Sequence, residues 1–302
     1  MLFDISKACI EELYDELFVQ KQVSVSVLRL DKIHPLVSGN KLFKLHYFLE
    51  EAVNSGHKTI ITFGGAYSNH LAATAYACKV LHLKSIGIVR GEKPDKLSHT
   101  LQQCLQDGMQ LQFISRKEYA TKHDPVFISG LEASFGKCTV IPEGGYHPLG
   151  AKGAALIMDL IKDNIYTHVC TATGTETTLA GILMVAKAEQ TVIGIPVLKG
   201  MTDNKIRIKQ LTQQQEEFKN LSIFNNYHFG GYAKKNDSLI EFMNHCWLHY
   251  RLPLDFVYTA KMFFGIIDRI KADAFLKGSK ILCLHTGGLQ GNKSLPLNTL
   301  LF

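Results

Sequence analysis

The stretch Ser38-Gly39-Asn40-Lys41-Leu42-Phe43-Lys44-Leu45 holds the first side chain whose type and setting could do covalent chemistry. A glycine and an amide precede Lys41, and an amphipathic run follows. Leu42, Leu45, Leu49 and Ala52 recur at helical spacing and would face a core. Lys41, Lys44 and Phe48 fall on another face, three and four residues apart. A lysine at a helix start, behind a flexible glycine, can reach into a cleft. Buried beside a second cation, its amine sheds its proton more readily and becomes a nucleophile or a base. Taken alone, the stretch equally describes a solvated lysine pair, since lysines are ordinarily exposed.

Two loops elsewhere could hold an anion. The apolar strand Lys58 to Phe63 runs into Gly64-Gly65-Ala66-Tyr67-Ser68-Asn69-His70 and then a helix, Leu71 to Val80. Strand, glycine-rich turn and helix together present backbone N–H groups to a negative charge. The strand Tyr166 to Ala172 meets Thr173-Gly174-Thr175-Glu176-Thr177-Thr178, and a helix from Leu179 to Ala188 follows. Four threonine hydroxyls and the N–H groups of that helix start could hold a phosphate. The same threonines could equally do no more than cap the helix.

The elements that must position these loops follow a βαβ rhythm. After a first helix within Met1 to Phe18, Val23, Val25 and Val27 alternate with Gln22, Ser24 and Ser26, as in a strand with one buried face, which His34-Pro35 ends. Leu83 to Val89 reads as a strand, Leu97 to Gln106 as a helix and Gln110 to Ser115 as a strand. Glu143 to Gly150, with Gly144-Gly145 and Pro148, breaks the pattern and is the best place for a crossing between lobes. A helix (Ala151 to Ile161) and, beyond the threonine loop, the strand Thr191 to Val197 resume it. The glutamine-rich run Lys205 to Lys219 suggests an exposed helix, and His228-Phe229-Gly230-Gly231-Tyr232 another glycine loop. Phe256 to Lys261 precedes a helix, and the strand Lys280 to His285 opens into Thr286-Gly287-Gly288. Such alternation implies parallel sheets, whose ligands gather at the C-terminal strand edges. No G-x-G-x-x-G opens the helix after either anion-competent turn, which argues against a dinucleotide fold.

The bulk numbers agree. The 302 residues suffice for two lobes, and 46% hydrophobic with 20% charged content is ordinary for a globular chain. The net charge of +6 is scattered, so it suits a small anion and does not argue for nucleic acid. Seven separated cysteines without C-x-x-C suggest neither zinc nor a disulfide framework, but buried thiols in a reducing compartment. Acidic and basic residues interrupt Met1 to Phe18, which excludes a signal peptide, and no run is long enough to span a bilayer. The expectation is a cytoplasmic protein.

Taken in order, the motifs Gly39-Asn40-Lys41 with Lys44-Leu45, Gly64-Gly65 with Ser68-Asn69-His70, Glu143-Gly144-Gly145, Thr173 to Thr178, Tyr258 with Lys261, and His285-Thr286-Gly287-Gly288 resemble one family over nearly the whole chain. It is the 1-aminocyclopropane-1-carboxylate deaminase/D-cysteine desulfhydrase family. The resemblance implies a two-domain, tryptophan-synthase-β-like α/β fold (fold type II) with pyridoxal 5'-phosphate as cofactor. It implies a large cofactor-binding domain of residues 1–40 and 151–302, a small domain of 41–150, and a homodimer. Chemistry would fall to Lys41, which binds the cofactor covalently, to Ser68, implicated in proton transfer, and to Tyr258, which stacks on the cofactor. Asn69 would bond the pyridine 3-oxygen, and Gly174, Thr175, Thr177 and Thr178 would form the phosphate cup. Ser68 and His70 would lie near the substrate carboxylate, with Asn69 also among the substrate-binding residues. Tyr67 would shape the side-chain pocket, although a tyrosine there could also be core packing.

Two departures stand out. Glu176 and Thr177 replace the family's small residues and glycine; a carboxylate repels phosphate, so Glu176 is expected to face solvent or a cation. Ala260, in place of a glycine, could crowd the cofactor face. Two positions sort the family's chemistry. Deaminases carry glutamate after the stacking tyrosine and leucine before the last Gly-Gly; Thr259 and Thr286 stand here, as hydroxyls do in the desulfhydrases. A glutamate keeps the pyridine nitrogen protonated and the ring a strong electron sink, which ring opening needs. A threonine, supplying only a hydrogen bond, suits expulsion of a good leaving group. The expectation is α,β-elimination on a small amino acid, D-cysteine to pyruvate, sulfide and ammonia, with Lys41 removing the α-proton. The rivals are 1-aminocyclopropane-1-carboxylate deamination, a lyase or racemase acting on D-serine or a β-substituted amino acid, and cofactor binding without turnover.

Overall fold

The computed structural model describes residues 4–34, 39–163 and 165–302. Pro35 and Ser38, named above, lie outside them. Among the described residues the chain forms two sheets flanked by helices. The first has six strands in the order β1 (Ile10–Leu13), β2 (Ser24–Arg29), β10 (Lys280–His285), β7 (His168–Thr173), β8 (Thr191–Pro196), β9 (Leu221–Ile223). The second has four, in the order β5 (Met109–Ile114), β4 (Lys84–Arg90), β3 (Thr59–Gly64), β6 (Cys138–Ile141). Every pairing is parallel except β1 with β2.

Alternation along the strands explains why both faces of the first sheet are dry. Leu282 and Leu284 of β10 join one apolar cluster with Leu42, Phe43 and Leu45 of α2 (Asn40–Asn54) and Leu179 of α8 (Thr177–Val185). Their neighbours Ile281 and Cys283 join another with Phe263 and Ile266 of α11 (Thr259–Lys271) and Met243 of α10 (Asp237–Tyr250). A parallel sheet between two helical layers must bury both faces. Each buried leucine or isoleucine contributes roughly 1.5–3 kcal/mol. Ser26 of β2 is therefore buried as well, so the expected single buried face is two.

Other expectations need correction. The N-terminal helix is instead β1, paired with β2 in the register Ile10↔Leu28 to Leu13↔Val25, and a short α1 (Glu16–Gln20) capped by Asp15. An edge strand gains a ladder of hydrogen bonds that a lone amphipathic turn does not. The Lys205 to Lys219 helix is the shorter α9 (Asn204–Thr212), ended by Gln213 in the left-handed region, and it buries Ile208 and Leu211. α5 (Arg116–Ala120), α6 (Pro125–Phe135) and α10 had no counterpart in the sequence reading. Six of the seven cysteines are buried, and all seven are free thiols. Among the described residues, no helix is long and apolar enough to cross a membrane.

Candidate active site

The C-terminal edges of both sheets open on one cavity of about 460 Å³. Its wall includes every residue singled out for cofactor or substrate: Lys41, Tyr67, Ser68, Asn69, His70, Gly174, Thr175, Thr177, Thr178, Tyr258 and Thr286. They come from loops more than two hundred residues apart.

Lys41 sits in the first turn of α2. Gly39 precedes it at φ 82°, and a Cβ there would lie 1.9 Å from the Thr286 carbonyl oxygen. Only glycine lets the start of α2 press against the end of β10. His285 steadies that end: its Nε2–H donates to the Pro253 carbonyl at 2.6 Å, and its Nδ1 accepts from the Gly287 N–H at 3.3 Å. The Lys41 amine donates to Asn40 Oδ1 at 2.6 Å and lies 5.6 Å from the centre of the Tyr258 ring. Burial lowers its pKa to about 8, against the opposing pull of Asp255. Near neutrality a useful fraction of the amine is therefore free to attack a carbonyl or take a proton. Lys44, one turn on, is buried, donates to the Gly144 carbonyl at 3.3 Å and is pushed well below the usual lysine range by burial and by Lys41. The solvated-pair alternative fails.

α3 (Asn69–Val80) supplies the second group of residues. Its cap is Ser68, whose oxygen accepts from the Leu71 N–H, and a Cβ on Gly64 would lie 2.5 Å from that oxygen. Asn69 gives its carbonyl to Gln290 Nε2 at 2.9 Å. The Asn69 amide group is thereby turned to donate from its nitrogen. His70 donates from Nε2 to Thr62 Oγ1 at 2.9 Å, because the Thr62 hydroxyl itself donates to the Ile141 carbonyl. Burial, with Lys44 and Lys41 nearby, lowers the His70 pKa to about 3. His70 is thus a neutral ring, unable to pair with a carboxylate by charge. Tyr67 is 54% exposed at the cavity mouth, which removes the core-packing alternative.

At the opposite end, Thr175 Oγ1 and Thr177 Oγ1 lie 2.9 Å apart, and Thr178 Oγ1 accepts from Asn40 Nδ2 at 2.6 Å. No side chain caps α8, so its first N–H groups face the cavity loop. Glu176 does not face solvent: it is 1% exposed and lines the cavity with neither carboxylate oxygen hydrogen-bonded, and of the two expected surroundings it has the cations, Arg207 and Lys44. Its backbone is left-handed (φ 61°, ψ −6°), a position suited to glycine. Burial raises its pKa to about 7, partly offset by the Thr173 hydroxyl, Arg207 and Lys44.

Two further expectations change. Thr259 does not line the cavity; its hydroxyl donates to Asp255 Oδ1 and accepts from the Asp255 N–H, each at 2.8 Å. Asp255 also accepts from the N–H groups of Val257, Tyr258 and Thr259, so its carboxylate is filled by the start of α11. Ala260 packs in the apolar core away from the cavity and crowds nothing there. Lys261 likewise stands outside, donating to the carbonyls of His228 and Gly231 and so holding the loop that brings Tyr232 edge-on to Tyr258 at 6.0 Å. The sequence reading named none of Arg90, Arg207 and Gln290 as site residues and placed Tyr232 only in a glycine loop. Arg90 ends strand β4, the edge where such sheets bind ligands, and that signal could have found it. Arg207 sits inside α9, with no local mark.

A cavity joining a depressed lysine amine to a hydroxyl-rich helix start defines a cofactor-dependent enzyme of the amine-transforming kind. Comparison with known proteins makes this specific. The family described as pyridoxal-phosphate dependent enzyme matches residues 15–287, and the chain belongs to it. A Thermotoga maritima protein, provisionally named 1-aminocyclopropane-1-carboxylate deaminase, is 31% identical over 286 residues, 89% of each chain. The D-cysteine desulfhydrase of Salmonella choleraesuis is 28% identical over 285 residues, 86% of each. A solved structure described as an ACC deaminase homologue superimposes with a TM-score of 0.80 at 26% identity, covering 96% of this chain and 92% of that one.

The cofactor is pyridoxal 5'-phosphate, and the donor set fits it. Lys41 offers an amine, Asn69 a free N–H, and the 174–178 loop hydroxyls and helix N–H groups. Gly174 lies beside the Tyr258 ring, where an added Cβ would reach van der Waals contact at 3.4 Å. The one discordant group is the Glu176 carboxyl.

Proposed function

We propose that the protein catalyses α,β-elimination on a small amino acid, with D-cysteine giving pyruvate, sulfide and ammonia. The observation that carries this choice is Thr286. It stands on the cavity wall at the end of β10, while Thr259 is tied to Asp255 and the Asp255 carboxylate is filled. Among the described residues, the residue after Tyr258 therefore offers the cavity no carboxylate, and the neighbouring Asp255 is already occupied. The Thr286 hydroxyl favours a substrate whose β-substituent leaves readily.

Bound, pyridoxal phosphate supplies a carbonyl for amine exchange and a ring that accepts electrons from the α-carbon. Lys41, with its lowered pKa, would hold the cofactor through its amine and, once that amine is free, would take the α-proton. Ser68 and the N-terminus of α3 seat the carboxylate, with neutral His70 behind them. Asn69 would donate to the ring oxygen, Tyr258 would form the floor, and Thr175, Thr177 and Thr178 would hold the phosphate. Tyr67, Tyr232 and Arg90 surround the mouth where a side chain would lie. Deamination of the cyclopropane amino acid is the second reading, favoured by the names that several relatives carry.

Further inferences rest on the same resemblance. Residues 41–150 form the small domain and 1–40 with 151–302 the large one, supported by the two separate sheets. The protein pairs as a homodimer and works in the cytoplasm, which its buried free thiols support. Nucleic acid is no partner, given the scattered charge.

The test is product analysis with purified protein and added cofactor, offering D-cysteine, L-cysteine, D-serine and the cyclopropane amino acid. Pyruvate with sulfide from D-cysteine, absent in Lys41→Ala, is expected. 2-Oxobutanoate from the cyclopropane substrate alone would overturn the choice made from Thr286.

A further inference from the structure

We propose that Glu176 stands in the phosphate cup as a neutral carboxylic acid and donates a hydrogen bond to the cofactor phosphate, so that the cup takes up a proton from solvent as it takes up phosphate. The proposal rests on the assignment of residues 174–178 to the phosphate. Glu176 is held where a phosphate would meet it: it precedes α8, lines the cavity beside Thr175 and Thr177, and is 1% exposed. Both of its oxygens are buried without a partner, which an ionised group tolerates poorly and a protonated one relieves once an acceptor arrives. The left-handed backbone at this residue would suit glycine, yet the chain carries a carboxyl there.

Burial opposes the ionised form more strongly than the neighbouring Thr173 hydroxyl, Arg207 and Lys44 support it. From α2, Lys44 faces the group, but its own proton is weakly held and it donates to Gly144. From α9, Arg207 approaches, but its Nε is paired with Asp203 at 2.7 Å, and Asp203 opposes its effect on Glu176. Thr173, at the end of β7, brings a hydroxyl, and Tyr146, beneath Arg207, a phenol that burial keeps protonated. A bound phosphate dianion adds like charge and drives the proton further onto Glu176. One hydrogen between a carboxyl oxygen and a phosphate oxygen turns repulsion into a short, charge-assisted bond. The raised pKa of about 7 places this exchange within reach of ordinary pH.

The experiment measures the dissociation constant of pyridoxal phosphate between pH 6 and 9 for wild type, Glu176→Gln and Glu176→Gly, following the visible band, with inorganic phosphate as competitor. Wild type should weaken relative to Glu176→Gln by up to about tenfold per pH unit above 7. Glutamine, a neutral donor, should bind at pH 8.5 more tightly than wild type; glycine should lose the pH dependence and bind more weakly than glutamine. Inorganic phosphate should show the same relative slope. Parallel pH profiles with the band intact, or weaker binding by Glu176→Gln throughout, would overturn the proposal. Absence of any Lys41-dependent band would overturn the cofactor site as well.

Discussion

Asn40 donates from its side-chain nitrogen to the hydroxyl of Thr178, 2.6 Å away and 138 positions along the chain. Its carbonyl accepts from the Lys41 amine at the same distance. One buried amide thus connects the Lys41 amine to the loop proposed to hold phosphate, fixing the span between them. The two ends of the cofactor site are aligned before anything binds.

Replacing Asn40 by alanine removes both bonds. At about 1 kcal/mol each, pyridoxal phosphate should bind roughly 30-fold more weakly. Titration of the visible band, alongside circular dichroism to show a retained fold, checks this. Unchanged affinity would mean that the amide aligns nothing.

Lys41 carries a pKa lowered to about 8 by burial. Only the neutral amine attacks a carbonyl, so capture of pyridoxal phosphate by cofactor-free protein should quicken as pH rises and level off above about 8. Stopped-flow absorbance reads the midpoint. A rate still climbing at pH 10 would show an ordinary exposed lysine.

Gln290 orients Asn69 through a 2.9 Å bond to its carbonyl. Gln290→Leu frees the Asn69 amide to turn, and cofactor affinity should fall several-fold while thermal stability stays nearly unchanged. A large loss of melting temperature with full affinity would assign Gln290 to the fold and not to the site.

Glu176 also leaves a mark on stability. Its folded pKa of about 7 exceeds the ordinary 4.5, so the folded chain keeps a proton that the unfolded chain releases. The stability carried by that proton is full below about pH 4.5 and is lost as pH rises through 7. The whole difference is on the order of 3 kcal/mol. In cofactor-free protein, denaturant melts should show Glu176→Gln gaining on wild type from pH 5 to pH 8. A constant difference across that range would place the carboxylate in a polar, solvated setting.

Much of the site was legible along the chain because its parts are local motifs. A glycine turn before Ser68 and a hydroxyl run at the start of α8 each combine a strand end with a helix start, the glycine before Lys41 marks a helix start, and such units read from sequence. The central parallel strands were equally plain, their apolar runs being buried on both faces. Strand β1 was misread because pairing with β2, and not its own helical spacing, decides its conformation.

The sequence by itself determined the local motifs and the parallel α/β architecture, since each rests on residues close in the chain, and the order of the motifs implied the cofactor through the family they resemble. Tertiary structure alone decided the electrical states. It filled Asp255 with the start of α11 and withdrew Thr259 from the cavity. It made His70 a neutral ring, brought Arg207 and Tyr232 to the wall, and buried Glu176 in the loop proposed to hold phosphate. Desolvation and charge depend on neighbours a hundred residues distant, and no spacing along the chain records how near they come.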